Sequence, residues 1–157
     1  MNLLALDLGT HTGWALWENG RVESGVQAFE LKRGESPGMR YLRFRRWLEE
    51  IAVRIQVIAY EQTLPWKAGS HAREISNNLA GRVQEFCAER NGVEHIAVEN
   101  NTLKKWTTGR GNAGKDEMIV HVQARFTAKR GIAHDEAEAI ALLHYARAEL
   151  VPAERGT

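Results

Sequence analysis

The sequence predicts a mixed α/β protein with a single five-stranded sheet flanked by helices, and three observations predict it. Short apolar runs bounded by turn residues lead the chain; strand-like and helix-like periods then alternate; and 157 residues suit one core rather than two hinged lobes. The expectation is one domain over residues 1–157, with no internal repeat or linker.

Asn2 to Leu8 reads as an apolar strand of the kind buried on both faces, with Asp7 at its end. Gly9, Thr10, Thr12 and Gly13 supply a tight turn. Trp14 to Trp17 and Arg21 to Leu31 then read as strands around the Glu18-Asn19-Gly20 hairpin turn, which makes three antiparallel strands. Ser36 and Pro37 read as the cap and first residue of a helix whose apolar face carries Met39, Leu42, Trp47, Leu48 and Ile51. Val57 to Tyr60 is a fourth strand, ended by Glu61 much as Asp7 ends the first.

From about Ser70 to Arg90, Ile75, Leu79, Val83 and Phe86 recur with helical period, and Asn91-Gly92 closes the helix. That apolar stripe suits either the chain's own core or a second copy. His95 to Val98 is a fifth short strand. Asn100 to Gly114 reads as a polar, glycine-bearing loop with at most one helical turn. Two helices follow, Lys115 to about Thr127 and His134 to about Leu150, before a tail from Pro152.

Hydrophobic residues make up 43% of the chain and charged residues 26%, the composition of a folding globular protein rather than a disordered one. The single Cys87 cannot form an internal disulfide or a thiolate zinc site, and it reads as a helix core residue. With no basic leader and no apolar run of membrane-spanning length, the expectation is a soluble, cytoplasmic protein. A net charge of +1 and a pI near 8.0 exclude a strongly basic nucleic-acid binder, so any such face is local. Arg40, Arg43, Arg45, Arg46 and Arg54 form one basic cluster, read as a solvated surface because Glu49 and Glu50 are near. Lys104, Lys105, Arg110 and Lys115 form a second with little compensating acid, and it is the stronger candidate for a partner.

An acid at the end of a buried strand is costly unless it is paired or bound to a cation. Asp7 and Glu61 are two such acids. The last helix opens His134-Asp135-Glu136-Ala137-Glu138, and residues three or four apart share a face, so Asp135 and Glu138 point together, as do His134 and Glu138. Glu136 reads as an acid that complements the helix dipole. Asp7, Glu61 and Glu138, with either Asp135 or His134 as a further ligand, would make an oxygen-rich cluster without cysteine, suited to Mg²⁺ or Mn²⁺. Two such ions can activate a water and stabilise both oxygens of a phosphodiester displacement.

The segments Leu4-Ala-Leu-Asp-Leu-Gly-Thr10, Ile58-Ala-Tyr-Glu61, Lys104-Lys-Trp-Thr-Thr-Gly-Arg-Gly-Asn-Ala-Gly-Lys115 and Asp135-Glu-Ala-Glu-Ala-Ile-Ala141 together resemble the RuvC Holliday-junction resolvases. The resemblance runs over nearly the whole chain and is strongest to the short RuvC-like resolvases of bacteriophages. It implies a ribonuclease H-like fold and a homodimer that nicks a four-way junction symmetrically, with two Mg²⁺ or Mn²⁺ ions per site, leaving a 5′-phosphate and a 3′-hydroxyl. Asp7, Glu61, Asp135 and Glu138 match its metal ligands. The family commonly has aspartate at the last of these and aspartate or histidine at the third, which keeps His134 a rival to Asp135. Lys104 and Lys115 match two lysines beside the scissile phosphate, and Lys105, Thr107, Thr108, Arg110 and Asn112 would hold the DNA backbone. In Gln62-Thr-Leu-Pro-Trp66, Leu64 stands where the family carries an aromatic wedge, and Trp66 can stack in its place. The Ser70–Arg90 helix matches the family's dimer element.

Three other readings compete, one of them within the same fold and one, a binding protein, from a different class. A nucleotide-binding enzyme of the actin and sugar-kinase group shares the Asp7-Leu-Gly-Thr10 turn but needs a second lobe, so no nucleotide cofactor is expected. A ribonuclease acting on structured RNA or hybrids would need to read the 2′-hydroxyl. A junction-binding protein without chemistry would tolerate loss of Asp7.

Overall fold

The computed structural model describes residues 1–62 and 70–151; Leu64 and Trp66 lie outside the described residues, as does the tail from Pro152. The strands are β1 (Leu3–Asp7), β2 (His11–Glu18), β3 (Arg21–Ala28), β4 (Val57–Gln62) and β5 (Glu94–Glu99). They form one mixed sheet in the order β3-β2-β1-β4-β5, with β1, β2 and β3 antiparallel and β4 and β5 parallel to β1. Asn19 and Gly20 both take positive φ in the two-residue turn between β2 and β3, the conformation that an Asn-Gly hairpin favours. The helices are α1 (Gly38–Ile51), α2 (His71–Glu89), α3 (Asn100–Thr108), α4 (Lys115–Arg125) and α5 (His134–Tyr145), the last running into a π-helical turn at Ala146–Leu150.

Strand alternation gives the sheet two unlike faces. Leu4, Leu6, Ile58 and Tyr60 face α1 and α2, where Phe44, Leu48, Leu79, Val83 and Phe86 are buried against them. Leu3, Ala5, Ala15, Val57 and Ala59 face α5. Ala5 is paired with Ala15 on one side and Ala59 on the other, so a row of methyl groups crosses three strands. The alanine-rich α5, with Ala137, Ala139 and Ala141 fully buried, lies over this row and comes closer to the backbone than larger side chains would permit.

The same parity decides where the acids go. Leu3, Ala5 and Asp7 share a face, as do Val57, Ala59 and Glu61, and the register pairs Leu3 with Val57 and Ala5 with Ala59. Asp7 and Glu61 therefore continue two neighbouring rows at the carboxyl ends of parallel strands, both toward α5.

Several local expectations are corrected. Residues 100–114 are not mainly loop: α3 occupies Asn100–Thr108 and closes on Gly109 in the left-handed conformation, its N–H donating to Lys105 O at 2.8 Å. Asparagine and threonine have low helix propensity, but Leu103 and Thr107 are buried and Trp106 stacks on Phe126 at 5.7 Å, so tertiary packing holds the helix. The first helix begins at Gly38 with Pro37 as its cap residue, and no side-chain cap bond forms; Met39 N bonds the Ser36 carbonyl rather than its hydroxyl. The last α-helix stops at Tyr145, and the π-helical turn carries the chain on to Leu150.

The α2 stripe belongs to the chain's own core: Leu79, Val83 and Phe86 are fully buried and Ile75 nearly so. Cys87 is a core residue, and burial pushes its thiol up to about 11. The first arginine cluster is largely answered by acids: Arg43 pairs with Glu35, Arg45 with Glu49, Glu85 and Glu89, and Arg54 with Glu18. Arg40 is not surface at all; it is buried, and its Nε donates to Phe29 O at 3.0 Å. Among the described residues, no helix is long and apolar enough to cross a membrane.

Candidate active site

The turn after β1 is held by Thr12, which is fully buried and donates through its hydroxyl to Gly9 O at 2.8 Å, and by Ser76 of α2, which donates to Leu8 O at 2.7 Å. These bonds fix the chain on leaving Asp7. Directly across β2, Gly13 pairs with Asp7 and carries no side chain toward α5. A β-carbon there would stand 1.8 Å from the carbonyl oxygen of Asp135, so the first turn of α5 rests on the glycine itself. That contact carries Asp135 and His134 to Asp7. One ligand atom from each of the three residues lies within 4.8 Å of the others.

Glu138 is one turn further along α5, and its side chain is only 2% exposed. Among the described residues, neither of its oxygens accepts a well-aligned hydrogen bond; His134 Nε2 approaches Oε1 to 2.9 Å without the alignment of one. A carboxylate buried without a donor is expensive. Asp7 and Glu61 bear a cost too. Asp7 is held well above the ordinary carboxylate range by burial first, then by Glu61, Glu138 and Asp135. Burial and then Glu138 raise Glu61, to about 8, against the opposing pull of Asn100 and Lys104. Carboxyl groups raised together in this way relieve one another by binding a cation. The donor set, four carboxyls and one imidazole with two orphaned buried oxygens, fits hard divalent ions such as Mg²⁺ or Mn²⁺.

The sign of the pH dependence follows. A carboxyl whose folded value exceeds its unfolded one stabilises the fold below the unfolded value and loses that contribution as pH rises through the folded one. For Glu61 the window runs from 4.5 to about 8. His144, lowered by burial and by Arg147 and Arg125, acts in the opposite sense near and below its ordinary 6.5. The metal-free protein should therefore lose thermal stability most clearly between about pH 6.5 and 8, and Mn²⁺ should restore it increasingly over that range. Melting curves with EDTA and with Mn²⁺ check this; a metal-free stability that rises through the window would contradict it.

The basic residues are less closely gathered. Lys104 lies one turn beyond Asn100 on α3, and its charge acts on Glu61. Lys115 opens α4, is exposed, and makes no hydrogen bond or ion pair with a described residue. Lys105 and Asn112 are exposed. Arg110 lies 3.6 Å from Glu117. The Thr108 hydroxyl donates to Lys104 O at 2.9 Å and accepts from Arg110 N at 3.1 Å, shaping the turn after α3. Thr107 is buried with its hydroxyl on Leu103 O, so it is a helix-packing residue and not a backbone contact for DNA.

Sequence reasoning missed three contributors. Gly13 was legible only as a turn glycine. Glu136 does more than complement a helix dipole: it is buried and takes hydrogen bonds from Ser24 Oγ at 2.8 Å and Lys129 Nζ at 2.7 Å, tying α5 to β3 beside the site. Asn100 donates from Nδ2 to Glu61 Oε1; its only sequence signal is that it continues the parity of Ile96 and Val98, one step past β5.

No protein-family model matches the chain, and neither does any curated protein. Solved structures do. RuvC of Thermus thermophilus is 23% identical, with a TM-score of 0.65 over 94% of this chain and 96% of that one. The structure of T. thermophilus RuvC in complex with a Holliday junction substrate is 22% identical, with a TM-score of 0.67 over 94% of both chains. The chain has the ribonuclease H-like fold, with the five-stranded mixed sheet and flanking helices that its sequence predicts.

Proposed function

We propose that the chain, acting as one domain over residues 1–157, is a crossover junction endodeoxyribonuclease of the short, bacteriophage RuvC-like type. It would be cytoplasmic and resolve Holliday junctions and other branched DNA by paired symmetric nicks. The observation that carries the reading is the gathering of Asp7, Glu61, His134, Asp135 and Glu138 at the carboxyl ends of β1 and β4, with Glu138 buried and without a hydrogen-bond donor among the described residues. The likeness in fold to a RuvC solved with a Holliday junction substrate supports branched DNA as the partner.

Asp7, Glu61 and Glu138, with Asp135 or His134, would hold two Mg²⁺ or Mn²⁺ ions. When bound, such ions supply water activation and stabilise the leaving 3′ oxygen. The protein's own side chains do the rest. Lys104 and Lys115 offset charge on the scissile phosphate; Lys105, Thr108, Arg110 and Asn112 set the register of the DNA backbone; and Leu64 or Trp66 unstacks the branch. A homodimer would present two such sites to two equivalent strands. Because the Ile75, Leu79, Val83 and Phe86 stripe is buried within the chain, the second copy would dock on other residues.

The test is nicking of a labelled four-way junction, a linear duplex and an RNA–DNA hybrid with Mg²⁺, Mn²⁺ or EDTA. Paired, metal-dependent nicks near the branch are expected. Cutting of the hybrid but not the junction would replace this reading with a ribonuclease, and tight junction binding without cutting would replace it with a binding protein.

A further inference from the structure

Among the described residues, Glu61 accepts a hydrogen bond from a side chain that is neither an acid nor a lysine. Asn100 is the first residue of α3, immediately after β5, and its side-chain amide donates to one oxygen of Glu61. The backbone makes this contact nearly unavoidable. Val98 pairs with Glu61 across the parallel strands, and two residues further on the chain turns into the helix, whose first side chain is set over the carboxylate. The helix cannot drift, because its far end is anchored. Trp106 stacks on Phe126 and donates to Glu149 at 3.3 Å, while Arg125 donates to Thr107 O at 2.8 Å. Lys104, four residues from Asn100 and so on the same helix face, adds positive charge toward the same carboxylate.

An amide donor on one carboxylate oxygen competes with a cation for that oxygen's lone pairs and leaves the other oxygen the better-placed ligand. Ca²⁺ accepts carboxylates through both oxygens in loose geometry, whereas Mg²⁺ demands near-octahedral coordination and takes single oxygens. Resting on the metal-dependent reading above, we propose that Asn100 is a positioning residue that holds Glu61 as a one-oxygen ligand and thereby biases the site toward small octahedral cations over Ca²⁺. Loss of a neighbour that orients a metal ligand commonly costs about 10–100-fold in metal affinity, and here it also sets which ion is preferred.

The test is Mn²⁺ binding by the full chain, followed through the electron paramagnetic resonance signal of free Mn²⁺, with Ca²⁺ and Mg²⁺ as competitors. Asn100→Leu keeps a branched side chain and removes the donor. It should weaken Mn²⁺ binding by about 10–100-fold and move the Ca²⁺-to-Mn²⁺ affinity ratio toward Ca²⁺ by roughly tenfold, one-oxygen and two-oxygen binding differing by about one such hydrogen bond. A purely structural role would weaken all three ions together and leave the ratio where it was. If Asn100→Leu fails to fold, as judged by circular dichroism, Asn100→Ala carries the test, since alanine is the better helix former. An unchanged ratio in the folded variant overturns the inference while leaving the nuclease reading standing. Failure of the wild type to bind Mn²⁺, or equal binding by Asp7→Asn, sinks the metal-dependent reading and this inference with it.

Discussion

Replacing Asp7 with asparagine is expected to abolish nicking while making the metal-free protein more stable. The two effects have one cause. Asp7 is held well above the ordinary carboxylate range by burial and by three acidic neighbours, Glu61, Glu138 and Asp135, so an amide of the same shape removes repulsion and leaves the packing of β1 intact. Once the pH is high enough to ionise Asp7, exchanging its buried charge for a neutral amide of similar volume removes that repulsion, so the gain in Tm should grow as pH rises. The catalytic loss should exceed the ~10–100-fold typical of residues that merely support a metal ligand, reaching about 10³-fold or more, or ~4 kcal/mol of barrier. Junction binding should persist, because the basic residues of α3 and α4 are untouched. The measurements are single-turnover nicking, a junction-binding isotherm and a melting curve in EDTA. Retained activity in the variant would remove Asp7 from the site. A lowered Tm would mean that the acids are already neutralised within the fold.

Gly13→Ala should be the most disruptive alanine substitution among the described glycines. Its β-carbon would stand 1.8 Å from the Asp135 carbonyl oxygen, 2.2 Å from the carbonyl carbon and 2.9 Å from Glu136 N. All three are backbone atoms, so no rotamer change relieves them. Restoring ordinary contact requires a displacement of about 1.5 Å or more. The displaced element is α5, whose Ala137, Ala139, Ile140, Ala141, Leu142 and Leu143 are all buried. Moving a helix so placed costs about 3 kcal/mol or more, or roughly 6–12 °C in Tm. It also draws Asp135 and His134 away from Asp7, and a 1 Å misplacement is enough to cost about 10²-fold in rate. Gly81→Ala is the matched control. It lies inside α2 with nothing within 4 Å of the added carbon, so the same methyl group there should stabilise by about 0.5–1 kcal/mol. Equal melting temperatures for the two variants would show that α5 does not rest on Gly13.

The unequal consequences of these two glycines show how far the sequence could be read. In sequence Gly13 reads as a turn residue and Gly81 as a glycine within a helix, and nothing local marks the first as the seat of α5. By contrast, Asp7 and Glu61 were visible as acids ending apolar strands, and the three-residue spacing of Asp135 and Glu138 was visible as a shared helix face. The hairpin at Asn19-Gly20 also follows from local chemistry. Residues 100–108 were misread because their polar, β-branched composition argues against helix, and only the packing of Leu103, Trp106 and Thr107 against α4 and α5 overrides it.

What the amino-acid sequence determined by itself was periodicity: which residues form strands and helices, which side chains share a face, and hence that four acids could point one way. Alternation along a strand and the helical repeat are properties of the backbone and need no partner. The tertiary structure decided which faces meet and how closely. The alanine row across β2, β1 and β4 lets α5 settle onto Gly13, Asn100 arrives beside Glu61 through the pairing of β5 with β4, and Glu136 is claimed by Lys129 and Ser24. Most of those contacts join residues tens of positions apart, and their distances are set by the summed volume of everything packed between the elements, which no local pattern encodes.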